Sequence, residues 1–236
     1  MPELGWRDDC RGFRSVRGTP DRRKFDGARW GRWVASYTTF ERCSFKNVRA
    51  RNVSWGGGVR QTEFIDCTFD RSRLPPVAFG MVRFERCSFR DVHLKRWICR
   101  EVDFVDCVFS GDLREFTVAG SDNDGPNEIR GNDFRQALML GGGFQAGVDL
   151  TLQQLPDDDR CIVIRDPKWT LKAAYLEVIK WNDKEVRILA ESTLEVLYQD
   201  FKSGQEQLLL CPDESSPTAV DANARLRSVI TTMALD

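Results

Sequence analysis

Cysteine is the residue type in this chain with the most chemistry to offer. Eight occur in 236 residues, and Cys67, Cys87 and Cys107 recur at steps of twenty, with Cys43 in the same local context further upstream. Thiolates at a fixed spacing could hold a soft metal or cycle between dithiol and disulfide. Small side chains at a fixed period also pack against one another, and packing in a reduced, metal-free state is the expectation here. No Cys-x-x-Cys pair stands beside them. His93 is the one histidine, has no motif around it, and is expected to be solvated. The runs Gly56–Gly58 and Gly141–Gly143 follow no strand-to-helix phosphate motif and read as backbone bends. Carboxylates are plentiful but form no pair with a sequence signature. The chain is therefore expected to carry no catalytic residue, no metal and no cofactor.

The elements that position these cysteines announce themselves by an unusual period. From Phe64, steps of five give Phe69, Leu74, Phe79, Phe84, Phe89, Leu94, Cys99, Phe104 and Phe109, all apolar. Neither a helix nor a flat strand generates that spacing. Two residues before each stands a second, usually smaller, series: Cys67, Ser72, Val77, Val82, Cys87, Val92, Trp97, Val102 and Cys107. An earlier stretch from Phe25 to Trp55 runs in its own frame, and Ile129, Phe134, Met139 and Phe144 regain the first. Above this lies a longer repeat, Phe-x-x-Cys-x-Phe, at Phe40–Phe45, Phe64–Phe69, Phe84–Phe89 and Phe104–Phe109, its starts 24, 20 and 20 residues apart. Twenty residues suit a coil with four sides, and the four extra fall at Gly56–Gly58, where a loop is expected. Phe40, Cys43, Phe45, Phe64, Cys67, Phe69, Phe84, Cys87, Phe89, Phe104, Cys107, Phe109 and Phe134 are the predicted core.

Asn132-Asp133-Phe134-Arg135-Gln136 and Val102-Asp103-Phe104-Val105-Asp106 complete the pattern, and over residues 25–150 the sequence resembles the pentapeptide-repeat family. The resemblance implies a right-handed quadrilateral β-helix with the central Phe or Leu and the small residue pointing inward. It fails at Arg114, in the polar stretch Ser121–Glu128 and at the glycine loop. The best-known members mimic DNA in shape and negative charge and bind type II topoisomerases, giving antibiotic or self-resistance, so DNA gyrase is an implied partner. Against that stands the charge arrangement. With coils at strand spacing, the outward columns read Arg42, Asp66, Arg86, Asp106; Lys46, Asp70, Arg90; and Glu63, Arg83, Asp103. Signs alternate in each, as in a ladder that satisfies itself and fixes register. A DNA mimic needs rows of uncompensated carboxylates.

Bulk charge points the same way. Residues 1–150 hold 25 Lys+Arg against 21 Asp+Glu, residues 151–236 hold 10 against 15, and the whole chain is at −1. Direct nucleic-acid binding is not expected from such a balance. No apolar run is long enough to span a membrane, and Arg7, Asp8 and Asp9 stand where a secretion signal needs an apolar core, so a cytoplasmic bacterial protein with free thiols is expected. Three segments follow: an N-terminal cap (1–24), the β-helix (25–150) and a helical module (151–236). In the last, Cys161–Ile164 reads as a short strand. Asp166-Pro167 opens a helix burying Leu171, Tyr175, Val178 and Ile179, Asp183 caps a second reaching Lys202, and Ser216-Pro217 opens a third. Its stripe of Ala222, Leu226, Val229, Ile230 and Met233 is expected to pack as core, the alternative being a docking or homodimer face. The leading expectation for function is a non-enzymatic interaction scaffold with an unidentified protein partner.

Overall fold

In the computed structural model, residues 7–9, 12–122 and 125–233 are described, and the chain is a mostly β, parallel solenoid of about five turns followed by three helices. An apolar side chain at every fifth position can face one axis only if the backbone bends after each side. The bends are made by single residues in the left-handed region. Arg42, Asp66, Arg86 and Asp106 line one corner at φ of 49°, 53°, 49° and 54°, and Asn47, Arg71 and Asp91 line another at 55°, 61° and 53°. For a non-glycine residue this conformation costs roughly 1–2 kcal/mol, offset by the ladder hydrogen bonds on both sides of it. Each turn then carries four inward positions, such as Phe84, Phe89, Leu94 and Cys99, all buried.

Register follows the repeat. Phe40 pairs with Phe64, Phe64 with Phe84, Phe84 with Phe104, and Phe104 with Ile129. The rings of Phe40, Phe64, Phe84 and Phe104 stack nearly parallel, with centroids 4.8, 5.0 and 5.2 Å apart, close to the strand separation itself. A second column, Phe45, Phe69, Phe89, Phe109 and Phe134, stacks the same way at 5.1, 4.7, 4.9 and 4.6 Å. The two columns meet edge to face, Phe84 against Phe89 at 75° and Phe104 against Phe109 at 77°, the arrangement ring quadrupoles favour. All thirteen predicted core residues lie in this one interior, none more than 2% exposed.

Three departures from the repeat have local causes. The ladder begins upstream of Phe25: β2 (Gly12–Val16) pairs in parallel with β3 (Arg29–Ser36), Phe13 opposite Trp33, so part of the segment read as a cap is already solenoid. Before it, β1 (Arg7–Asp9) runs antiparallel to β2. At Arg114 the five-residue frame breaks because one coil is a residue short. Phe89 pairs with Phe109, but Val92 pairs with Gly111, which makes Leu113 rather than Arg114 the inward residue. Gly111 sits at φ 91°, where any Cβ would collide with the Val92 carbonyl. The Ser121–Glu128 interruption contains an antiparallel pair, Ser121–Asp122 with Gly125–Pro126, while residues 123 and 124 lie outside the described set. The chain rejoins the stack at Asn127, whose Nδ2 donates to the Ala119 carbonyl at 2.8 Å.

The far end of the solenoid is joined to the helices by a two-stranded wall. Ile162–Ile164 pairs antiparallel with Leu208–Leu210, a strand the hydrophobic pattern does not reveal. Strand alternation lets it serve two interiors: Leu209 and Cys211 complete the solenoid core, while Leu208 and Leu210 face the helical one. Gln205, fully buried, fixes the junction. Its Oε1 accepts from the backbone N–H groups of Gly147 (3.1 Å) and Val148 (2.9 Å), and its Nε2 donates to the carbonyls of Val148 and Gln207, both at 2.8 Å.

Candidate interaction surface

Several charges on the outer sides of the solenoid pair from one turn to the next. Arg86 Nε lies 2.8 Å from Asp66, Arg42 lies 2.7 Å from Asp21, and Arg130 lies 3.8 Å from Asp106. Arg83, mostly shielded from water, meets Glu128 at 2.6 Å, Glu85 at 3.0 Å and Asp103 at 3.5 Å. Hydrogen bonds from Arg83 hold the Glu85 and Glu128 carboxyls below the usual carboxylate range, and Arg86 does the same for Asp66. The Lys46, Asp70, Arg90 column departs from the simple ladder. Asp70 accepts from the Ser88 hydroxyl and, at 2.9 Å, from the backbone N–H of Arg90 rather than from a cationic head. Asp26 makes the equivalent bond to the N–H of Lys46, also at 2.9 Å. These carboxylates hold coil against coil. His93 is exposed and its ring faces Asp112 at 3.1 Å.

Inside, the cysteine column does more than fill space. Cys43, Cys67, Cys87 and Cys107 donate their S–H groups to the carbonyls of Pro20, Phe40, Phe64 and Phe84 at 3.3, 3.4, 3.1 and 3.4 Å. Asn132 and Gln153 continue the same column with amides, donating to Phe104 and Ile129 at 2.8 and 2.9 Å. Each turn thus satisfies a buried carbonyl of an earlier turn. Burial pushes the Cys87 and Cys99 thiols well up. Cys67, in the middle of the column, is only 2% exposed. Among the described residues no group of three or more His, Cys, Asp or Glu side chains is placed to hold a metal.

What the solenoid lacks, the helices supply. Helix α1 (Pro167–Val178) starts on the Asp166 side chain and a first-turn proline, and α2 (Lys184–Lys202) starts on Asp183, which accepts from Glu185 and Val186 at 3.1 and 3.2 Å. Helix α3 (Pro217–Met233) closes the bundle. Its Ala222, Leu226 and Ile230 are buried and Val229 packs on the same cluster, with Met233 at its half-buried end, so that stripe is occupied within the chain. The exposed apolar surface lies elsewhere. Among the described residues, seven of the twelve exposed large apolar side chains sit on or just after α1 and α2, including Trp169 at 63%, Tyr175 at 50% and Tyr198 at 45%. Tyr175 and Ile179, predicted to be buried, are outside. The buried stripe of α1 is Pro167, Thr170, Leu171, Ala174 and Val178, one position round, because small residues do the packing.

Between α1 and α2 this surface dips into a groove of about 290 Å³. Leu171 and Leu194 form its floor, Tyr175 and Tyr198 stand in its walls, Lys168 and Lys172 line one edge and Glu191 and Glu195 the other. A second groove, also about 290 Å³, runs between α2 and the last turn and holds Asp200, Gln145 and Asn223. Burial raises the Asp200 carboxyl to about 6 despite a hydrogen bond from Gln145. No described helix is long and apolar enough to cross a membrane. No protein-family model matches the chain, and a search of curated proteins returns no significant match.

Proposed function

We propose that this chain is a pentapeptide-repeat protein acting as a non-enzymatic interaction scaffold, in which a rigid, right-handed, four-sided solenoid carries a helical module that docks a partner protein. The observation that supports this most is the division of surface. Solenoid carboxylates such as Asp66, Asp103 and Glu128 are paired with arginines of neighbouring turns, while exposed aromatic and aliphatic side chains are concentrated on α1 and α2. Apolar floor, tyrosine walls and a charged rim are the composition of an interface centre. Topoisomerase mimicry gains no support from the columns, since Arg42, Arg83, Arg86 and Arg130 stand among the carboxylates. The test is affinity capture from the native host with the full chain and with a Tyr175→Ser/Tyr198→Ser variant. A discrete partner retained by the first and lost by the second, with unchanged circular dichroism, is the expected result. Equal capture by both removes the groove from the reading. Inhibition or quinolone protection of purified gyrase at low micromolar concentration would restore the topoisomerase reading instead.

A further inference from the structure

The wall between solenoid and helices carries a second set of thiols, built quite differently from the column. Ile162 pairs with Leu210, Val163 with Leu209 and Ile164 with Leu208. One step further out along both strands, Cys161 stands opposite Cys211. By alternation both turn toward the solenoid core, where Cys211 is buried and Cys161 packs at the margin, partly open to solvent. Directly opposed residues of an antiparallel pair lie roughly 4.5–5.5 Å apart at Cα, inside the span of about 4.4–6.8 Å that a disulfide bridges. The segments carrying them are clamped together by Arg160, which pairs with Asp158 just before Cys161 and with Glu214 just after Cys211, each at 2.8 Å.

The setting suits a reactive thiol. The Cys211 thiol, aided by the charges of Arg160 and Arg227, holds Cys161 below the ordinary thiol range, against burial and Asp158. Arg227, on α3, is also one of the few described residues with a buried polar atom, its Nε, that has no hydrogen-bond partner, so a cation with spare donor capacity lies within electrostatic reach of Cys161. The column cysteines offer neither access nor a free S–H.

We propose that Cys161 and Cys211 form a hydroperoxide-responsive dithiol whose closure to a disulfide cross-links the two strands of the wall between solenoid and helices. The Cys161 thiolate attacks the peroxide, forming an S–O bond as the O–O bond breaks, and the departing hydroxide is protonated to water. Cys211 then attacks the sulfenic sulfur. The S–S bond forms, the S–O bond breaks, and the hydroxyl leaves as a second water with the Cys211 proton. Two electrons pass from the two thiols to one peroxide.

The experiment treats the reduced full chain with stoichiometric hydrogen peroxide, alkylates remaining thiols and maps peptides by mass spectrometry without reduction. A cross-linked peptide joining Cys161 and Cys211, reversed by dithiothreitol, is expected, with Cys67, Cys87 and Cys107 untouched. In Cys211→Ser the sulfenic acid at Cys161 should persist long enough for dimedone to trap it. The oxidised wild type should melt roughly 5–10 °C above the reduced form, a difference absent from Cys161→Ser. Peroxide treatment that leaves Cys161 and Cys211 unlinked in the folded wild type, or that oxidises the column first, overturns the proposal.

Discussion

A phenylalanine stacked on the phenylalanine of the turn before it has no room to relax. Phe104 lies between Phe84 and the edge of Phe109 with no exposed surface. Phe104→Ala should therefore leave a cavity and lose about 3–5 kcal/mol, measured by chemical denaturation; an unchanged midpoint would contradict the assigned register. The column thiols make a different prediction. Cys67, Cys87 and Cys107, each hydrogen-bonded to a carbonyl and at most 2% exposed, should react with a thiol reagent only as fast as the solenoid opens. Rapid native labelling of any of the three would show that the interior is wet. At this scale the sequence was informative about which residues face inward, because a five-residue apolar period fits neither a helix nor a flat strand. It was silent on the S–H bonds to carbonyls, since the partner of Cys107 is contributed by the preceding turn. It was equally silent on the missing residue at Gly111, which shows only as an interruption at Arg114.

Among the elements, the junction is where single groups matter most. Gln205→Ala would strand the buried N–H of Val148 without a partner, at a cost of roughly 1–3 kcal/mol. Thermal melting should show it, with Gln205→Glu failing to rescue because a carboxylate cannot donate to the Val148 and Gln207 carbonyls. Asp200 on α2 gives a pH signature of unusual sign. Its carboxyl titrates near 6 when folded, above the ordinary value of 3.8, so the folded state binds its proton more tightly. Stability should rise as pH falls from 7 toward 4 by about 1 kcal/mol, allowing for water around a half-buried group. Asp66, Glu85 and Glu128 act in the opposite direction: their depressed pKa values lend stability that is lost below about pH 4. Urea midpoints across pH 3–8 should pass through a maximum, and Asp200→Asn should abolish the rise while keeping the fall. Helix positions were legible from Asp-Pro, Asp183 and Ser216-Pro217, but their outward faces were not. Thr170 and Ala174 pack in α1 where Tyr175 and Ile179 had the stronger apolar claim, and the Leu208–Leu210 strand is too short to declare a period.

Taken as one molecule, solenoid and helices share a boundary that neither can lose. Removing residues 151–236 would uncover the last turn where Leu209, Cys211 and Gln205 now cover it, so the truncated chain should aggregate rather than report on partner binding. Point changes in the α1–α2 groove are the cleaner probe. The other end carries a quieter feature with a large consequence. A parallel stack is a seed in the sense of one-dimensional crystal growth, each open rung a template for the next. Here β1 lies on β2 with the chain reversed, Arg7 opposite Arg14 and Asp9 opposite Gly12. A second copy arriving at that face meets a rung of the wrong polarity, and at the opposite face it meets the wall and the helices. One growth front is met by β1 and the other by the wall and the helices. Concentrating the protein should give particles of fixed size in light scattering, where a solenoid without these stops would lengthen into fibres.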